Sequence, residues 1–177
     1  MIDFIKNIFR RKFIRRAASR IETGIMPLQA IKSVIIVLDT EDPAYNECKD
    51  KVVAFFRQKE IKVSVWFLSL ARKDADERQT TSLESTILSK DLNWWGRPAV
   101  SKIAAFSEEA ADMLISLVDN ADFTIDCLAR CSQARFKIGR KQLRNRVFDL
   151  IFENSPSKSC TCTEAFDGIT AYLNTIR

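Results

Sequence analysis

Carboxylates, lysines, tyrosines and cysteines are the groups with which this sequence could do catalysis, because its 177 residues include no histidine. Histidine is the commonest general base and metal ligand, so Ser–His and Cys–His nucleophiles cannot form within the chain. The turn after the first long apolar run reads Asp39-Thr-Glu-Asp42 and contains no glycine. A negative turn without glycine repels a pyrophosphate, which argues against a dinucleotide site or a P-loop. We therefore expect no cofactor.

Polar residues follow several apolar runs, and these residues form the candidate ligand site. In an open α/β sheet, side chains just past the strands converge in a crevice at the carboxyl ends. Arg140 could hold a phosphate or carboxylate there in a bidentate fork. Nearby carboxylates oppose a highly charged ligand, so a singly anionic or metal-bridged one is expected. The predicted lining residues are Asp39, Thr40, Ser69, Asp119, Asn120, Gly139 and Arg140.

Two functions remain open for the protein. The preferred one is non-catalytic: an interaction protein or a binder of a small anion. The alternative is a small enzyme that uses carboxylates and a metal ion at the carboxyl ends of the strands. The absence of histidine and of a phosphate loop disfavours the enzyme, and we predict no catalytic residue.

The five cysteines predict a reducing compartment. Their number is odd, and the charged N-terminal segment does not resemble a signal peptide. We expect buried, reduced thiols in a cytoplasmic protein, either free or peripheral to a membrane. A zinc site built from four thiols is a weaker alternative, because their spacing departs from the C-x-x-C pattern. Those four are Cys127, Cys131, Cys160 and Cys162.

The positive charge of the chain is concentrated at one end. Residues 1–22 hold seven of the 28 basic residues and two of the 23 acidic ones, so the remainder is neutral. A nucleic-acid partner is therefore unlikely. Apolar residues recur every four positions from Ile5 to Ile21, which predicts a basic amphipathic helix over 2–21. Its apolar stripe needs cover from its own domain, a protein partner, a second copy or an anionic membrane. The candidate contact residues are Phe9, Arg10, Phe13 and Arg16.

Beyond that helix, strand and helix patterns alternate. This predicts an α/β domain over 25–177, after a separate basic helix over 1–24. We expect an open, mostly parallel sheet of about five strands, flavodoxin-like or Rossmann-like, with the first and third strands central. The predicted strands are 33–38, 61–68, 112–118, 135–138 and 147–152, with a possible short strand at 101–106; helices are predicted from Asp42 to Lys59, from Asn120 to Ser132 and after Thr161.

Residues 71–100 have no clear period. Such a stretch is usually functional or conceals an element. It contains Trp94 and Trp95, which could stack on a planar ligand or plug the rim of the core. Its role stays open from the sequence alone.

Three motifs resemble those of an uncharacterised family of small bacterial proteins, found mainly in Bacteroidetes. Asp91-Leu-Asn-Trp-Trp-Gly96 is similar to its D-F-x-W-x-G. Asp112-Met-Leu-Ile115 is similar to its D-L-L-I strand, and Ser132-x-Ala134-x-Phe136-Lys-Ile-Gly139 to its S-x-A-x-F-K-V-G. The resemblance spans most of the chain and implies a bacterial protein. It brings no catalytic residue, because the family is a domain of unknown function.

Overall fold

The computed structural model describes residues 1–71, 85–153 and 159–177, and a parallel sheet of six strands lies at its centre. The strand order is β3-β2-β1-β4-β5-β6, and every neighbouring pair is parallel. This is the doubly wound Rossmann order, with β1 and β4 central as predicted. The strands are β1 (Ser33–Asp39), β2 (Lys62–Ser69), β3 (Thr86–Leu88), β4 (Met113–Ser116), β5 (Phe136–Gly139) and β6 (Leu150–Ile151).

Five α-helices accompany the sheet in the described residues, and they separate onto its two faces. Strand β1 is buried on both: Ile36 and Leu38 pack with helices α2 and α5, whereas Ile35 and Val37 pack with α3 and α4. The unbroken apolar run of β1 is typical of a strand covered on both faces. The helices are α1 (Ile2–Ala17), α2 (Tyr45–Gln58), α3 (Val100–Glu108), α4 (Phe123–Cys131) and α5 (Cys162–Leu173), with 3₁₀ turns at Leu28–Ala30 and Ser89–Asp91.

Several boundaries differ from the sequence predictions. Residues 101–106 were predicted as a possible strand, which is wrong: they form most of α3. Two alanines favour a helix there, and Ile103 and Phe106 bury one helical face. Strand β3 was missed within 71–100, because three residues carry no readable period. Of the predicted strand 147–152, only the two residues of β6 form a strand. The helix predicted over 2–21 ends at Ala17, because the backbone of Ala18 is extended.

The start of α5 confirms the predicted capping box. The Thr161 hydroxyl accepts from the backbone N–H of Glu164 at 3.3 Å, and the Glu164 carboxylate accepts from the N–H of Thr161 at 2.9 Å. Both bonds satisfy donors that a helix start leaves unpaired. Across the molecule, the carboxylate of Asp112 accepts from the N–H groups of Lys32 and Ser33 and from Arg135. Asp112 thereby joins the amino ends of β1, β4 and β5.

The ammonium of Lys137 is buried behind α4. It donates to the carbonyls of Ala129 at 2.7 Å and Ser132 at 3.0 Å, and so satisfies carbonyls at the end of that helix. Burial lowers the pKa of Lys137 to about 8, partly opposed by the nearby carboxylate of Asp149. An ordinary lysine has a pKa near 10.5, so the folded state holds this proton less tightly than the unfolded chain does.

We predict that Lys137 makes the protein more stable as the pH rises from 8 towards 10.5. In that window the unfolded chain binds the proton and the folded state does not, so the free energy of unfolding rises by about 2–3 kcal/mol. Urea unfolding of wild type and Lys137→Met at pH 7 and pH 10 measures this. The difference between the two proteins isolates Lys137 from tyrosines and cysteines. A difference that does not change with pH contradicts the prediction.

The packing around two glycines predicts that alanine substitutions there change the free energy of unfolding by different amounts. A Cβ on Gly139 would lie 2.3 Å from the Phe148 ring, whereas a Cβ on Gly24 would meet nothing within 4 Å. We expect Gly139→Ala to lower the free energy of unfolding by about 1–3 kcal/mol through overpacking. Gly24→Ala is the matched control and should stay within about 0.5 kcal/mol of wild type. If chemical denaturation gives the same free energy of unfolding for both variants, the Phe148 ring moves aside without cost and the prediction is wrong.

Candidate functional site

A buried arginine occupies the crevice at the carboxyl ends of β1 and β4. The side chain of Arg140 follows β5 and is only 2% exposed. Its guanidinium donates to the carbonyl of Leu117 at 3.0 Å and to that of Cys160 at 2.6 Å. The carboxylates of Asp42 and Asp119 lie 3.6 and 3.5 Å from its terminal nitrogens. Asp42 also accepts from the N–H of Cys162, at the start of α5.

The remaining predicted crevice residues are spread along the strand ends. Thr40 donates its hydroxyl to the carbonyl of Leu68, and Asn120 accepts from Asp122 in its own turn. Ser69 and Gly139 end β2 and β5, three strand spacings apart or about 14 Å. The space beside Gly139 is taken by the Phe148 ring. The structure therefore brings Asp119 and Arg140 together and leaves Ser69 apart from them.

Carboxylates dominate this crevice electrostatically. Burial raises the pKa of Asp39, and the negative charges of Glu41, Asp42 and Asp122 raise it further, against a hydrogen bond from the N–H of Glu41. Such surroundings oppose a second anion. Within the described residues, no group of three or more Cys, Asp or Glu side chains is placed to hold a metal ion. Ligand binding in this crevice stays a prediction.

The thiols lie in two separate places. Cys127 and Cys131 pack between α4, α3 and α1, whereas Cys162 packs beside Cys48 on the other face of the sheet. The four thiols considered for zinc therefore do not meet. A hydrogen bond with its partner thiol and burial raise the pKa values of Cys127 and Cys162. None of the five cysteines forms a disulfide.

Trp95 attaches α1 to the domain. It is 7% exposed and lies among the rings of Phe9, Phe13 and Phe123, with centroids 6.3, 6.0 and 5.6 Å away. The guanidinium of Arg10 donates to the carbonyl of Trp95 at 2.8 Å. Trp95 thus fills the space between α1 and α4. Of the four predicted contact residues, Arg10 and Phe13 turn towards the domain.

The opposite side of α1 is exposed. We call it the outer face, and it includes large apolar side chains that the domain leaves uncovered. Phe9 is 45% exposed, and Trp94, 59% exposed, lies edge-on to it at 5.7 Å. The four-residue stripe missed Phe4 and Ile8, because it followed only one helical row. The outer face comprises Phe4, Ile5, Ile8, Phe9, Lys12 and Arg16.

A second surface lies beside α1, and we call it the basic cleft. It encloses about 750 Å³ between α1, the beginning and end of α4, and the loop after β5. Residues 130–146 contain seven basic residues and no acidic one, but the sequence alone does not show that they lie beside the bases of α1. The arginines lining the cleft are Arg10, Arg11, Arg15, Arg130 and Arg144.

Strand order, the layers and the alternation of elements define an α/β protein with a Rossmann-like, all-parallel sheet and an added N-terminal helix. The chain belongs to a family of unknown function (DUF6913), whose model matches residues 4–176. That match confirms membership of a family without an assigned function and includes nearly all of α1. No curated protein and no solved structure matches the chain. None of the described helices is long and apolar enough to span a bilayer.

We predict that Arg140 is required for stability. Arg140→Met would remove two hydrogen bonds and leave Asp42 and Asp119 without their guanidinium, so we expect a loss of about 3–5 kcal/mol. Chemical denaturation measures it. Arg57→Met, at an exposed position of α2, is the control and should change stability by less than about 0.5 kcal/mol. A loss below 1 kcal/mol for Arg140→Met would mean that the crevice does not depend on this ion cluster.

Proposed function

We propose that the protein attaches to an anionic membrane surface through the outer face of α1. The observation that carries the proposal is the pairing of exposed apolar and basic side chains on one helix. Phe4 and Ile8 are 70% and 50% exposed, and Lys12 and Arg16 extend from the same face. Helices that lie in the membrane interface combine these two features.

The apolar contribution comes from the first two turns of α1. Phe4 is 70% exposed, and Ile5, Ile8 and Phe9 keep 40–50% of their surface exposed. Fully burying a side chain of this size contributes about 1.5–3 kcal/mol. The exposed ring of Trp94 adjoins Phe9 and extends the apolar area beyond the helix. Tryptophan suits this position, because its amphipathic ring favours the headgroup region.

The electrostatic contribution comes from the excess of bases in residues 1–22. Each basic residue near an anionic leaflet contributes about 1 kcal/mol. A helix of 16 residues is about 24 Å long. We therefore propose that α1 lies in the plane of the interface. None of the five cysteines forms a disulfide, and disulfides are rare in reducing compartments, so we assign the contact to the cytoplasmic leaflet.

The packed side of α1 supports this arrangement. Phe13, Ile14 and Ala17 pack against α4, and Arg10 bonds to Trp95. The helix is consequently already formed on the domain and need not fold on the lipid, which lowers the entropic cost of docking. Its own domain covers the inner side of α1, and the membrane would cover the outer face.

Vesicle co-sedimentation of the full chain tests the proposal. We expect binding to vesicles that contain phosphatidylglycerol at low salt, and weaker binding to pure phosphatidylcholine. Phe4→Ser/Ile8→Ser should weaken binding about tenfold or more, because two anchors are lost. Lys12→Gln/Arg16→Gln should weaken it about 30-fold on the anionic vesicles alone.

The control is Ile25→Ser/Tyr172→Ser, which removes two exposed apolar side chains outside α1 and should leave binding unchanged. Failure of the wild type to sediment with anionic vesicles at low salt would overturn the proposal. So would a homodimer, seen by analytical ultracentrifugation, that Phe4→Ser/Ile8→Ser dissociates, because a second copy would then cover the outer face.

A further inference from the structure

The basic cleft brings together arginines from three parts of the chain. Arg11 and Arg15 come from α1, Arg130 from the end of α4, and Arg144 from the loop after β5. Only the docking of α1 through Trp95 places these side chains around one space. Its volume of about 750 Å³ falls within the range of small-molecule sites.

The charge of the cleft is not balanced by its own lining. Its lining residues include five arginines and one carboxylate, that of Asp126. Asp126 is bonded to Arg130 at 2.7 Å. Guanidinium groups held close together repel one another, which costs folding free energy. A bound anion would remove that repulsion and would accept bidentate hydrogen bonds from the arginines.

The loop that carries Arg144 is held in an unusual conformation. Asn145 and Arg146 both have positive φ, at 60° and 45°, which is uncommon for residues other than glycine. Arg130 donates to the carbonyl of Arg144, and Leu143 is buried at 3% exposure. The strained turn is thus fixed at both the backbone and the side chain. Strain of this kind collects at ligand sites.

We propose that the basic cleft binds a small polyphosphate, meaning a soluble molecule with at least two linked phosphate groups. A single phosphate carries a charge of at most about −2 at neutral pH, less than the net charge of the lining. Two or three linked phosphates match both that charge and the spread of the arginines over three segments. This site does not depend on the proposed membrane contact, because Lys12 and Arg16 do not line the cleft.

Isothermal titration calorimetry and thermal shift, without vesicles and at 150 mM salt, test the proposal. The probes are inorganic tripolyphosphate, ATP and orthophosphate. We expect tripolyphosphate and ATP to bind and to raise Tm, and orthophosphate to bind at least tenfold more weakly. Arg15→Gln/Arg144→Gln should weaken tripolyphosphate binding at least tenfold. Lys12→Gln/Arg16→Gln removes the same charge and should change binding less than twofold.

Urea unfolding without ligand provides a second readout. Arg15→Gln/Arg144→Gln should be at least as stable as wild type, because repulsion within the cleft decreases. The single variant Arg144→Gln repeats the binding test if the double variant does not fold.

Three results would overturn the proposal. They are no tripolyphosphate binding at millimolar concentration, orthophosphate binding of equal affinity, and equal losses in the two double variants. Loss of vesicle binding in Arg144→Gln, which lies outside residues 1–22, without tripolyphosphate binding to wild type, would assign the cleft to lipid headgroups instead. Polyphosphate binding by a protein that ignores vesicles would leave this proposal standing and reject the membrane contact.

Discussion

The contacts of the Arg140 guanidinium hold together the loops at the switch point of the doubly wound sheet, where the strand order reverses. In this topology the loops after β1 and β4 turn to opposite faces and leave a crevice between them. Arg140 lies there, bonded to Leu117 after β4 and to Cys160 before α5, with Asp42 and Asp119 beside it. A buried guanidinium requires such partners, because it cannot lose its charge. The side chain of Arg140 therefore holds these loops together through their backbone carbonyls and carboxylates.

Acidic and basic side chains lie in different parts of the molecule. The acidic turn at 39–42 and the carboxylates of 119–122 lie at the strand ends, whereas six of the seven bases of residues 1–22 lie on α1. Negative charge is consequently concentrated at the crevice, where this fold class commonly binds a ligand, and positive charge is concentrated on and beside α1. Both surfaces that we propose for binding therefore adjoin α1 and lie away from the sheet edge.

The sequence predicted what local pattern controls and missed what tertiary contact controls. The long apolar run of β1 specified a doubly covered strand, and the Thr161 capping box specified the start of α5. Strand β3 has three residues, and its identity depends on pairing with β2, so no periodicity reveals it. Residues 101–106 contain apolar positions that suit a strand or a helix, and packing on the sheet decides between them. The basic cleft depends on contacts between residues far apart in the chain.

The contacts that hold α1 on the domain involve the turn between the 3₁₀ turn Ser89–Asp91 and α3. Asn93 accepts from the N–H groups of Trp95 and Arg97, and Gly96 follows with φ at 85°. A side chain at Gly96 would be strained and would meet the Arg10 guanidinium at 3.4 Å. Most of the stability of a helix in a protein comes from the packing of one of its faces. The turn therefore supplies the docking place that stabilises α1, and both the outer face and the basic cleft exist only because that helix is held there.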